Sequence, residues 1–128
     1  MTQTTFEVST DERVTTVDLT DRVTDAVPTE ASGTCTVFVQ HTTAGVSVNE
    51  AEPRLLSDIE RALSEIVPES GWDHDEIDDN ADAHLRSMLL GRDVTVPVAD
   101  GDLVLGTWQS VLLVECDGPR TRRVTVVA

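Results

Sequence analysis

Three histidines, His41, His74 and His84, are the side chains of this sequence best suited to proton transfer or metal binding near neutral pH. His41 stands in Gln40-His41-Thr42-Thr43-Ala44-Gly45, just past a strand-like stretch. His74 lies in the acidic run Trp72-Asp73-His74-Asp75-Glu76, and His84 follows Asn80 by four residues. Imidazoles from three separate elements can converge on a divalent metal ion, zinc or similar, leaving a position for water or a phosphate oxygen. Their separations match no short metal motif of the HExxH kind, so two readings stay open: one shared histidine site, or three separately hydrogen-bonded or exposed histidines. Glu50 and Asp58 flank a helix, where each can either orient a ligand histidine or serve helix-end electrostatics.

A second polar group lies near the C-terminus. Gly106-Thr107-Trp108-Gln109 opens a strand and Glu115-Cys116-Asp117-Gly118-Pro119-Arg120-Thr121-Arg122-Arg123 closes it. Arginine forks hold phosphate or carboxylate through two parallel bonds, and this is the one local concentration of positive charge. The alternative is a charged turn whose arginines pair with Glu115 and Asp117. Asp75 to Asp79 lacks the glycine and terminal glutamate of an EF-hand loop and reads as a solvated acidic loop. No nucleophile–base pair stands out.

The elements that must carry these residues are mostly strands. Phe6 and Val8, then Val14, Val17 and Leu19, alternate on either side of Ser9-Thr10-Asp11-Glu12, which predicts a hairpin. Thr20-Asp21 can start a short helix ending near Pro28, and Thr34 to Gln40 reads as a strand. Pro53 in a first turn, followed by Leu55, Leu56, Ile59, Ala62, Leu63 and Ile66 at three- and four-residue spacing, predicts a helix stopped at Pro68. A second helix begins at Asn80, with Ala83, Leu85, Met88 and Leu89 expected inward and Gly91 as its end. After Gly91, segments 94–98, 103–105, 108–115 and 122–127 read as strands, separated by turns at Asp100-Gly101 and Asp117-Gly118-Pro119. The class is α+β with a dominant antiparallel sheet folded into a β-sandwich, and two to three helices packed on it.

Composition bounds the rest. The 128 residues fit a single domain spanning 1–128. Twenty-four acids against nine bases give a net charge of -15, and all nine bases are arginine. Such a chain repels itself in dilute salt, whereas salt at 1 M shortens the Debye length to about 3 Å; a halophilic setting is the expectation. Nucleic acid is disfavoured as a partner, there being no basic patch to meet phosphates. No apolar run approaches a bilayer span and the first residues lack a signal-peptide pattern, so no membrane contact and a cytoplasmic location are expected. Cys35 and Cys116, without a CxxC neighbour, read as buried core thiols.

The segments Gln40 to Glu50 (QHTTAGVSVNE), Asn80 to Leu85 (NADAHL), Val96-Pro97, Gly101 to Gln109 (GDLVLGTWQ) and Glu115 to Arg123 (ECDGPRTRR) together resemble the YjbQ family, over nearly the whole chain. The resemblance implies a β-sandwich assembled as a homotrimer, with pockets near subunit contacts. It implies a metal- or anion-binding site at His41, His74 and His84, with His41, Glu50 and His84 as catalytic candidates. It also implies a pocket wall that includes Thr42, Thr43, Asn80, Thr107, Gln109, Arg120 and Arg122. The activity it points to is a thiamine-phosphate-synthase-like joining of a pyrimidine pyrophosphate to a thiazole phosphate; the alternative is a non-catalytic module for a small phosphorylated metabolite.

Overall fold

The computed structural model describes residues 1–128. Eight strands form two antiparallel sheets. Five belong to a large sheet in the order β1 (Gln3–Ser9), β8 (Thr121–Val127), β3 (Gly33–Val39), β5 (Asp93–Ala99) and β6 (Asp102–Leu103). Three form a smaller sheet, β2 (Thr15–Asp18), β7 (Ser110–Glu115) and β4 (Ala44–Asn49). The helices are α1 (Thr20–Ala26), α2 (Pro53–Ile66) and α3 (Ala81–Leu90), with one 3-10 turn at Asp73–Glu76. The expected α+β class with antiparallel sheets is what the chain adopts. No helix is long and apolar enough to cross a membrane.

Period-two alternation explains where the core lies. Val37 and Val39 of β3, Val96 and Val98 of β5, and Val124 and Val126 of β8 join Val46 of β4 with Val111 and Leu113 of β7 in one buried cluster. Leu19, Val23 and Val27 of the α1 segment close one side. Each such side chain contributes about 1.5–3 kcal/mol on full burial. The opposite face of β7 offers Val114, followed by Cys116, to Leu63 of α2 and Ala83 of α3 in a second, smaller cluster. Strand β7 is therefore buried on both faces, as its unbroken Val-Leu-Leu-Val run implies. Both cysteines are free and buried, as expected, and burial, with the Glu115 charge adding to it, pushes the Cys116 thiol up to about 12.

Two expectations need correction. The hairpin at Ser9–Glu12 does not form: β1 pairs with β8 in the large sheet and β2 with β7 in the small one. Thr10 turns the chain between the sheets, its backbone N–H donating to the Arg120 carbonyl (2.8 Å) and its hydroxyl to Glu115 Oε1 (2.7 Å). Helix α3 is also rotated from its expected face. Met88 and Leu89 are exposed, whereas Asp82 and Arg86 point inward and are buried. Arg86 meets Asp82 at 2.9 Å one turn earlier and donates to the Leu63 and Val67 carbonyls at the end of α2. The Leu63 carbonyl already accepts from the Val67 N–H (3.1 Å). Arg86 adds a second donor there and one to the Val67 carbonyl beyond the last turn, so the buried guanidinium closes the end of α2 and fixes α3 against it.

Asn80 occupies the expected start of α3, but its side chain does not cap the helix. Asp75 Oδ1 accepts from the Ala81 N–H instead (3.2 Å), and Asn80 Nδ2 is released to reach Asp117 Oδ2 (2.8 Å). At the other end, Gly91 adopts a φ of +91°, which favours glycine, and its carbonyl accepts from Val46 N–H in β4. Gly45, beside it, is the contact that brings α3 close. A Cβ there would lie 2.8 Å from both the Gly91 carbonyl oxygen and Leu90 Cβ. Gly45→Ala is therefore expected to cost about 1–3 kcal/mol through overpacking, read as a lowered midpoint in urea unfolding in potassium chloride.

Candidate functional site

The chain passes between the two sheets at three places that lie together: residues 10–14 between β1 and β2, 40–43 between β3 and β4, and 116–120 between β7 and β8. Backbone bonds zip them. Cys116 N–H donates to the Thr43 carbonyl (3.1 Å), Gly118 N–H to Arg13 (2.9 Å), and Thr10 N–H to Arg120 (2.8 Å). Connections held this way present side chains from a rigid rim. The rim opens into a cleft of about 1030 Å³.

Most of the implied pocket residues meet there. His41, Thr42, Thr43, Asn80, His84, Arg120 and Arg122 all line the cleft. His74 does not line it but stands behind His84, the two rings edge to face with centroids 4.8 Å apart. Four other expected residues lie elsewhere. Glu50 and Thr107 face a separate hollow of about 320 Å³ beside Glu52 and Trp108. Gln109 accepts from Gly106 N–H through its own Oε1 (2.8 Å) and closes a local turn. Asp58 pairs with Arg61 on the surface of α2. Within one chain, His41, Glu50 and His84 thus do not form a single catalytic group.

The floor of the cleft is a buried ion pair. Glu115 and Arg122 are both essentially inaccessible, facing each other from either side of the β7–β8 connection. Arg122 Nε donates to Glu115 Oε1 (2.8 Å), Nη2 donates to Oε2, and Nη2 also reaches the Thr43 carbonyl (3.1 Å) and hydroxyl (2.9 Å). Burial alone pushes the Glu115 carboxyl up. Bonds from Arg122, Thr10 and the Asp117 N–H outweigh it and hold the acid below its ordinary range. The Arg122 charge is consequently spent inside the floor.

His41 accepts from the Arg123 backbone N–H through Nε2 (2.7 Å). Burial and the neighbouring Arg122, Arg123 and Arg120 charges lower its pKa against the opposing pull of Glu115. The ring is therefore neutral at pH 7, and with Nε2 accepting, the proton sits on Nδ1 as a donor. Asn80 is nine-tenths buried, and with Nδ2 fixed on Asp117 its Oδ1 has no partner. His74 Nε2 is likewise buried without a hydrogen bond, with Asp78 Oδ2 3.7 Å away.

The fit of a metal ion can be judged from these positions. His74 and His84 are adjacent and Asp78 is close to His74, whereas His41 Nε2 is engaged by Arg123. No group of three His, Cys, Asp or Glu side chains within the chain is arranged around a point where a metal could sit. The chain offers a histidine pair and a separate third histidine, so its own residues do not close a metal shell.

Two charged cleft residues escaped the sequence reading. Asp78 belongs to the acidic loop yet lines the cleft, and Arg92, directly before β5, does too. Nothing local distinguishes either one: each is placed by α3, whose two ends bring them to the same opening.

The family model described as UPF0047 protein YjbQ-like matches residues 4–128. A UPF0047 protein of Archaeoglobus fulgidus is 48% identical over 122 residues, covering 94% of this chain and 96% of the relative. The UPF0047 protein YugU of Bacillus subtilis is 37% identical over 125 residues, 92% of each. Among solved structures, a hypothetical protein of Aeropyrum pernix K1 matches with a TM-score of 0.95 and 42% identity, covering 99% of this chain and 97% of its own. An uncharacterized conserved protein of the YjbQ/UPF0047 family from Clostridium acetobutylicum matches at 0.90 and 34%, covering 97% and 98%.

Proposed function

The chain belongs to the YjbQ-like UPF0047 family, and on that footing we propose that its cleft takes up a small phosphorylated metabolite. The observation that carries this reading is the lining. In a chain of net charge -15, the cleft gathers Arg92, Arg120, Arg122, His41 and His84 against a single carboxylate, Asp78, with Phe38 and Val39 as its hydrophobic members. Concentrating donors and cations against the overall charge suits an anion with several oxygens, and Thr42 and Thr43 can add hydroxyl donors. The setting proposed is a cytoplasmic homotrimer in high salt, in which the two sheets are the layers of a sandwich and the cleft opens at its rim.

A second reading, favoured by the unpartnered His74 Nε2 beside His84, is that the bound phosphate is also processed. The reaction would be thiamine-phosphate-synthase-like: the thiazole nitrogen bonds to the pyrimidine methylene carbon as pyrophosphate leaves. His74 and His84 are the side chains of this chain that would hold a divalent metal, its remaining ligands coming from outside the chain, and such an ion would supply positive charge beside the phosphate. His41 would contribute its Nδ1 proton as a hydrogen bond to the departing oxygens. Glu50, in the other hollow, takes no part within one chain.

Calorimetric titration of untagged protein with thiazole phosphate and with inorganic pyrophosphate tests the first reading. Saturable binding is expected, and absence of binding to both would sink it. Metal content by elemental mass spectrometry, for wild type and His84→Ala, tests the second. Near-stoichiometric metal lost in the variant supports it, and a metal-free protein that forms no thiamine phosphate removes it while leaving binding intact.

A further inference from the structure

We infer that Arg92 is the residue that grips the ligand's phosphate, at the end of the cleft away from Arg120. This rests on the binding reading above and names the contact within it. The partners of the nine arginines single it out. Arg13, Arg54, Arg61, Arg86, Arg120 and Arg122 each pair with a carboxylate. Arg22 lies over the Phe6 ring and donates to the Glu7 carbonyl. Arg92 and Arg123 have no ion-pair or side-chain hydrogen-bond partner, and of the two only Arg92 lines the cleft. In a chain with 24 acids, a guanidinium left free at a polar opening keeps all its donors for a ligand.

The other two cleft arginines are committed. Arg122 is locked on Glu115 and Thr43. Arg120 is tethered to Asp117, with Nη2 on Oδ2 (3.0 Å) and Nε on the backbone carbonyl (2.9 Å). Asp117 Oδ2 also holds Asn80, so Arg120 stands at the start of α3. Arg92 stands past its end, the ten residues of α3 separating the two by about 15 Å along the helix axis. Its backbone is firmly placed, the carbonyl accepting from Val39 N–H (2.8 Å) directly after Gly91. The ligand therefore lies along α3, its phosphate on Arg92 and its remaining polar groups reaching towards His84.

Calorimetry with inorganic pyrophosphate, at the lowest salt that keeps the protein folded, tests this on wild type, Arg92→Gln, Arg92→Lys and Arg61→Gln. Arg92→Gln is expected to weaken binding roughly tenfold, the loss of a charge-assisted fork on an exposed site. Arg92→Lys should recover part of it, keeping charge without the fork. Arg61→Gln, the same charge change on the surface of α2, should bind as wild type does. An Arg92→Gln variant with unchanged affinity would overturn the inference while the binding reading stood. Equal weakening by Arg61→Gln would reduce the effect to net charge and also overturn it. A wild type that takes up no pyrophosphate and no thiazole phosphate would remove both.

Discussion

Arg122→Met is expected to lower the unfolding free energy by about 3–5 kcal/mol, because it strands the Glu115 carboxylate in a site with no access to water. Thr10 and the Asp117 N–H remain as donors, but the opposing charge is gone. The pair as a whole contributes much less than either half removed alone suggests, since both groups were desolvated to make it. Combining Arg122→Met with Glu115→Leu should consequently recover most of the lost stability in urea. A single variant that loses under about 1 kcal/mol would mean that water reaches Glu115.

The pH dependence supplies an independent check. In the wild type the folded Glu115 acid lies below its ordinary value of 4.5. Its contribution is therefore full above that value and is lost as the pH falls through the depressed folded value. In Arg122→Met, burial acts with its main opponent removed and the folded acid moves upward. Proton uptake then favours the variant's folded state, and stability rises as the pH falls towards its ordinary value. The gap between variant and wild type should narrow on acidification, whereas a mere packing defect would leave it constant.

Much of the fold could be read from side-chain periodicity, and the misses share a cause. The strands with Val37, Val96, Leu113 and Val126 were legible because alternation is a local property, as was α2 from its three- and four-residue spacing. The supposed hairpin at Ser9–Glu12 failed because a turn-rich segment between two alternating stretches looks the same whether the strands pair or part into different sheets. What decides is Thr10 meeting Glu115 and Arg120, over a hundred residues away. The site divides along the same line. His41, Asn80, His84 and Arg120 come together because the motifs containing them border the connections between sheets. Glu50 and Thr107, in equally prominent motifs, end at the other hollow. Arg92 could not be singled out, since freedom from a carboxylate partner exists only once every acid has been placed.

Helix α3 shows the same limit and gives the second large expected effect. Asp82→Ala should destabilise the protein by about 3–5 kcal/mol, since Asp82 is the carboxylate on which two arginines converge. Arg86 reaches it at 2.9 Å, and Arg13 donates through Nη1 (3.1 Å) and Nη2 (3.0 Å). Burial pushes the Asp82 carboxyl up, and the Arg13 bond with both arginine charges overrides this and keeps it below its ordinary value. Without it Arg86, almost wholly buried, keeps only the neutral carbonyls of Leu63 and Val67. Asp82→Asn, which keeps the shape but loses the charge, should fall between the two. Salt separates this pair from the surface ones. High potassium chloride screens exposed contacts such as Arg54–Glu52 but hardly touches a pair buried with Asp82. Urea unfolding of Asp82→Ala at low and high potassium chloride should therefore show the same loss at both. A loss that vanishes in high salt would place Asp82 in contact with solvent, and the inward rotation of α3, which leaves Met88 and Leu89 outside, would need another cause.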